Sequence, residues 1–250
     1  MTFTIGYPIH NKGYMMDEII DGLVYSIDQS KYDVKYKFIF DGCTDNTKES
    51  YEKEKNKLKN CEYIETDNLF QLRTNNLLMK DFDTDFLIIF QDDMVLKDTA
   101  FLDNILILHE KYGDQLGIVG CRDGFDAGYS NMSSAYFSES TVIVERLCSG
   151  EYREKMMVNI GPLVLTKNLV EKMGYFDEIY GNAAYEEMEY SLKCTLNGLK
   201  TIVMGVDLIH SKFDHKNKNM VAHTSADVLS VYHSANSKIF SDRWHHIAKI

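Results

Sequence analysis

Proline is almost absent from this sequence: Pro8 and Pro162 are the two it holds in 250 residues. There is also no internal repeat and no stretch rich in proline, glycine or serine. Nothing therefore marks a linker, and the chain reads as a single domain over residues 1–250. No apolar run approaches the ~20 residues that cross a bilayer. The opening MTFTIGYPIH lacks the basic segment, apolar stretch and small-residue cleavage site of a secretion signal. The expectation is a cytoplasmic protein without a transmembrane segment. Positive charge is in deficit, with 27 Lys and Arg against 38 Asp and Glu, a net charge of −11. That balance disfavours, without excluding, a nucleic-acid partner, since gripping phosphates needs a basic surface. The five cysteines (Cys43, Cys61, Cys121, Cys148, Cys194) are odd in number, scattered and free of any CxxC pair. They read as reduced thiols packed as small hydrophobes, not as a zinc site or a disulfide framework.

What the chain does have is 44% apolar residues, enough for a sizeable core. FTIGY (3–7) is a short β-like run closed by Pro8. Apolar residues at Met15, Met16, Ile19, Ile20, Leu23, Val24 and Ile27 have the spacing of one helical face. YKFIF (36–40) predicts a second strand. Asp45, Asn46 and Thr47 supply N-cap chemistry for the charged helix KESYEKEKNKLK, whose charges suit a solvated face. EYIET, QLRTNNLLMKDF and DFLIIF follow as strand, helix and strand, the last apolar on both faces. Such alternation implies an α/β fold with a parallel sheet covered on both sides. Ligands of these sheets bind beyond the carboxyl ends of the strands. HN after the first strand, DG after the second and QDD after the fourth all fall at that edge.

From Arg122 to Met157 the pattern dissolves into Gly, Ser, Tyr and Glu with one β-like run, STVIVERL, and reads as a binding or lid region. Regularity returns with IGPLVLTKNLVEKMGYF (strand, helix, Gly stop), the helix YEEMEYSLKCTLNG, the strand KTIVMGV and a last helix, SADVLSVYHSANSKIF, leading to Trp244.

Asp92 and Asp93 stand where a buried strand leaves the core. Two adjacent carboxylates repel unless protonated or neutralised by a cation. Oxygen ligands with open positions suit Mg2+ or Mn2+, which share their shell with phosphates and water. Helix capping does not need the pair, because Asp98 and Thr99 are better placed to start the next helix.

The succession PIHN, FDGCTDNT, FLIIFQDDMVL, GPLVLTKNLVEKMGYFDE and YEEMEYSLK resembles the family 2 glycosyltransferases of GT-A fold. The usual forms there are a Pro-x-x-Asn turn, an Asp-Asp-Gly-Ser-Thr-Asp turn, an Asp-x-Asp strand end, a Gly-Gly-Phe-Asp-Glu turn and a Glu-Asp-x-Asp helix. The five motifs come in the right order and cover nearly the whole chain.

The resemblance implies an α/β, Rossmann-like GT-A domain, its mostly parallel central sheet flanked by helices and followed by a C-terminal acceptor-side elaboration. Residues 1–121 would form the nucleotide-binding half, and residues 122–250 the acceptor-binding half with the C-terminal helix. It implies a metal-dependent, inverting, hexosyltransferase-like enzyme. Such an enzyme moves a sugar from a nucleotide-diphospho-sugar, by default a UDP-sugar, to a glycan or other hydroxyl-bearing acceptor. Pro8, His10, Asn11 and Asp41 would border the nucleobase and ribose, Arg73 would touch base or phosphate, and Gln91 or Asp92 would contact the nucleotide. Asp93 would hold Mn2+ or Mg2+, Gly161 would lie near donor sugar and acceptor, and Glu186 and Glu187 would form the catalytic pair with Glu187 as general base.

His210, in DLIHSKFDHKNK, matches relatives with a histidine metal ligand. A lone histidine at a strand end equally serves as a hydrogen-bonded structural residue, and both readings stand. Lys212 and Lys216, in the one locally basic loop, would cover the diphosphate as a lid or remain simply exposed.

The sequence departs from the family pattern in several places. Phe40 and Gln91 replace aspartates, Glu187 and Glu189 replace two more, and Lys193 replaces an arginine. Phe40 and Gln91 feed an alternative, a non-catalytic sugar- or nucleotide-binding module. EEMEY has its own alternative, an acidic, solvated helix start favoured by the helix dipole. A sugar-1-phosphate nucleotidyltransferase is a weaker alternative, because GYPIHNKGY is too poor in glycine to cradle a triphosphate.

Overall fold

Successive residues of the run FLIIF enter different cores. Phe86, Ile88 and Phe90 sit in one hydrophobic cluster, and Leu87 and Ile89 sit in the other. This is the two-residue period of a strand buried on both faces. The computed structural model describes residues 1–28, 30–126, 142–143, 147–159, 161–210, 226–244 and 246–247.

The first half runs β1 (Thr2–Ile9), α1 (Met16–Leu23), β2 (Asp33–Asp41), α2 (Thr47–Glu54), β3 (Cys61–Thr66), α3 (Phe70–Asp81), β4 (Phe86–Ile89), β5 (Met94–Leu96), α4 (Phe101–Tyr112) and β6 (Leu116–Gly120). The second half runs β7 (Asp123–Phe125), β8 (Val142–Ile143), β9 (Tyr152–Glu154), β10 (Met157–Asn159), β11 (Leu163–Thr166), α5 (Lys167–Met173), α6 (Glu186–Leu196), β12 (Lys200–Met204), β13 (Leu208–His210) and α7 (Ala226–Trp244).

Eight strands form the central sheet in the order β3-β2-β1-β4-β11-β6-β12-β9. All point one way except β11 and β9, which run antiparallel to their neighbours. The sheet is thus mostly parallel, as the alternating pattern predicts. Apolar residues of α1 and α4 fill the core on one face, and those of α3, α5 and α6, with Phe240 of α7, fill the other. Among the described residues no helix is long and apolar enough to cross a membrane. All five cysteines are free thiols.

The segment 122–157 differs in part from its expected irregularity. β7 pairs there with β10 on one side and β8 on the other in a small antiparallel sheet, and β9 joins the edge of the main sheet. These strands are two or three residues long, too short for a hydrophobic period to show in sequence.

Two connections matter for the cleft at the carboxyl edge. Because β11 runs backwards, its first residue, Leu163, pairs with Ile89 at the end of β4, so Gly161 arrives beside Gln91. The two-stranded β13–β5 ribbon sets His210 opposite Met94, next to Asp93.

Candidate active site

The turn after β1 is braced from within. Asn11, with φ of 52°, accepts hydrogen bonds at Oδ1 from the backbone N–H of Thr44 (2.7 Å) and Asp45 (3.2 Å). A left-handed backbone costs asparagine less than most residues. His10 Nδ1 lies 2.6 Å from the Asp41 carbonyl, which only accepts, so that nitrogen carries the proton. Its Nε2 is then the acceptor for the Asn11 amide at 3.1 Å. Pro8 lines the cleft below them.

Asp41 is wholly buried, and its carboxylate is engaged by the chain itself. It accepts from Thr66 Oγ1 (2.7 Å) and from the backbone N–H groups of Leu69 (2.5 Å) and Phe70 (2.8 Å). Asp41 thereby ties the end of β2 to the first turn of α3. Phe40, where the family keeps an acid, is a core residue packed on Tyr51 and Tyr63. Arg73 pairs with Glu178 at 3.5 Å and is not among the residues lining the cleft.

At the end of β4 the two acids take different partners. Asp92 Oδ2 forms an ion pair with Lys12 Nζ at 2.9 Å and lies 3.3 Å from the His10 N–H. Lys12 is 2% exposed and also donates to the His10 carbonyl. Asp93 Oδ1 lies 3.3 Å from His210 Nε2. Neighbouring ligands of an octahedral ion with ~2.1 Å bonds stand ~3 Å apart, so this oxygen–nitrogen pair fits two adjacent positions around a divalent cation. A carboxylate with an imidazole favours a transition ion such as Mn2+ over Mg2+. Among the described residues no group of three or more metal-binding side chains occurs. Gln91 turns its amide oxygen into a buried position where it has no hydrogen-bond partner, and it lines the cleft.

The acidic start of α6 is not solvated: Glu186 and Glu187 are each 1% exposed. Glu187 Oε1 accepts from Gln71 Nε2 at 3.3 Å, whereas its Oε2 and both oxygens of Glu186 have no partner. Burial pushes the Glu187 carboxyl up to about 7. Burial, and then the charge of Glu187, holds Glu186 well above the ordinary carboxyl range. Glu189 is structural, accepting from Trp244 Nε1 (2.9 Å) and pairing with Arg243 and Lys193.

The cleft holds a cavity of about 40 Å³, open to solvent, between Pro8, Gln71, Asn75, Gln91, Gly161 and Glu187. Gly161 is obligatory there, because a Cβ would meet the Ile89 carbonyl oxygen at 2.6 Å.

The structure thus brings Pro8, Gln91, Asp92, Gly161 and Glu187 to one cleft. His10 touches Asp92, and Asp93 meets His210. Lys212 and Lys216 lie outside the described residues. Sequence reasoning missed Lys12, Gln71 and Asn75. Gln71 and Asn75 carry a legible signal, two amides at i and i+4 on one face of α3.

No family model and no curated sequence matches the chain. Solved structures do. S. aureus TarS (residues 1–349) superposes with a TM-score of 0.56 at 17% identity, over 82% of this chain and 58% of that one. The mannosyltransferase PcManGT from Pyrobaculum calidifontis, in complex with GDP-Man and Mn2+, gives 0.58 at 14% identity, over 81% and 54%. GalNAc-T7 with UDP, GalNAc and Mn2+ gives 0.63 at 13%, over 82% and 42%. The chain therefore spans less than two thirds of the length of each of these structures. At this identity the likeness shows the fold, and that fold is the GT-A fold of glycosyltransferases.

Proposed function

We propose that this chain is a glycosyltransferase that moves a sugar from a nucleotide-diphospho-sugar to an acceptor hydroxyl, inverting the anomeric carbon. The observation that carries the reading is Glu187. It is a buried carboxyl with one partnerless oxygen, raised to about 7, in the same cleft as Gln91, Asp92 and Gly161. A base with a pKa near the working pH combines a useful ionised fraction with a useful proton affinity. Gln71 holds Oε1 of Glu187, which leaves Oε2 to take the proton of an attacking hydroxyl.

The other residues divide the donor between them. Gln91 offers a buried amide to a ligand donor, and Gly161 leaves the backbone bare beside it, so the sugar can approach closely. His10 and Asn11 form a rigid rim for the nucleoside, and Asp41 supports that rim from below by fixing α3. Asp93 and His210 would hold the divalent cation, Mn2+ in preference to Mg2+. When bound, the cation neutralises the departing diphosphate as a Lewis acid. A UDP-sugar is the favoured donor, in keeping with the UDP-GlcNAc complex of TarS and the UDP complex of GalNAc-T7. The acceptor is a glycan or another hydroxyl-bearing molecule.

The test is nucleotide release from a panel of UDP- and GDP-sugars with Mn2+, Mg2+ or EDTA. Turnover of one donor with metal, abolished in Glu187→Gln, is expected. Equal release by Glu187→Gln overturns the assignment of the base. One specific feature favours the second reading, a binding module without turnover: the charge of Asp92 is already balanced by Lys12. That reading predicts donor binding with no release under any metal.

A further inference from the structure

The two residues that precede the acid pair have unusual backbones: Ala184 and Tyr185 lie at φ of 80° and 76°. Side chains with a Cβ are strained in this region, and such strain persists only where the surroundings enforce it. Here the enforcement comes from the other end of the chain. Asn236, on α7 and 3% exposed, directs its Nδ2 at three carbonyl oxygens: Tyr180 (2.7 Å), Ala183 (2.8 Å) and Ala184 (3.1 Å). One amide group spans the approach to α6, and Glu186 and Glu187 leave that turn as the first two residues of the helix.

We propose that Asn236 is a positioning residue for Glu187. By clamping the left-handed turn it sets the direction in which Glu187 enters the cleft and keeps the buried acid pair dry. The proposal rests on the reading of Glu187 as base. Removing the clamp should leave α7 docked, because the helix has separate anchors. Phe240 packs on Tyr185, Tyr232 Oη accepts from Asn182, and Arg243 and Trp244 hold Glu189.

The experiment compares wild type, Asn236→Ala and Asn236→Ala/Ala184→Gly in the full chain. The ionisation of Glu187 is followed by carboxyl NMR and assigned by difference from Glu187→Gln. Nucleotide release gives kcat and the donor KM. In Asn236→Ala the Glu187 midpoint should drop from about 7 toward the ordinary 4.5 as water reaches the turn. Turnover should fall roughly 10- to 100-fold with little change in KM. Glycine adopts the left-handed backbone without strain, so Ala184→Gly should return thermal stability to the double variant while midpoint and kcat stay shifted.

A wild-type midpoint and kcat in folded Asn236→Ala overturn the proposal. So does recovery of kcat together with stability in the double variant, which marks the asparagine as structural only. If the wild type turns over no donor, the functional reading fails, and the NMR midpoint still decides the clamp.

Discussion

Lys12, 2% exposed, forms an ion pair at 2.9 Å with Asp92 of the cleft wall. The two neighbouring acids at the end of β4 are therefore inequivalent: Asp92 is neutralised by the protein, and Asp93 faces His210. Breaking the pair gives the cleft one more uncompensated negative charge. Lys12→Met should then tighten Mn2+ binding roughly tenfold, the scale of one screened charge a few ångströms away. Mn2+ titration followed by electron paramagnetic resonance checks this, and unchanged or weaker binding counts against the division of roles.

His210 contributes the one nitrogen donor of the proposed cation pair. His210→Ala should weaken Mn2+ more than Mg2+, because imidazole suits transition ions and Mg2+ prefers oxygen. Calorimetric titration with each ion reads the ratio directly. Equal loss for both ions assigns His210 to the β13–β5 ribbon alone.

Glu187 has a folded-state pKa raised from the ordinary 4.5 to about 7. A raised pKa means the folded protein holds a proton that the unfolded chain has released. The associated stability is present below pH 4.5 and is lost as pH climbs to about 7. The loss is about 3 kcal/mol. Glu187→Gln should therefore be more stable than wild type at pH 8, and the gap should close near pH 4, by urea unfolding at both pH values. Turnover has the opposite sign. The base must be ionised, so kcat should rise through about pH 7 in wild type.

Gly161 stands against the backbone of β4, where a Cβ would come within 2.6 Å of the Ile89 oxygen. A backbone atom in the middle of a sheet cannot step aside cheaply. Gly161→Ala should cost about 1–3 kcal/mol and weaken donor binding, read by thermal unfolding and by nucleotide-sugar titration. Full stability with native binding in this variant disproves the close approach.

Much of the arrangement is written locally and was legible. FLIIF reads as a strand buried on both faces, and carboxylates at the end of such a strand stand at the edge where ligands bind. Glu186 and Glu187 were legible as a pair at a helix start. Their burial was not, because it depends on α3 and α7 arriving from distant parts of the sequence. The Lys12–Asp92 pair escaped for the same reason: a lysine in a polar turn carries no mark of the acid 80 residues on that it will meet. For Asp41 the resemblance implies contact with the nucleobase; that its carboxylate also holds Leu69 and Phe70 in the folded chain has no mark in the sequence. A motif position specifies where a carboxylate stands, and the loops around it decide what it bonds.

Because β4 supplies side chains to both hydrophobic clusters, it has no solvent-facing side from which to loosen. Its central amides are expected to exchange their hydrogens only through global unfolding. Asp92 and Asp93 hang from the least yielding part of the molecule. Any adjustment to a bound donor must then come from side-chain rotation or from segments outside the sheet, on their own faster clock.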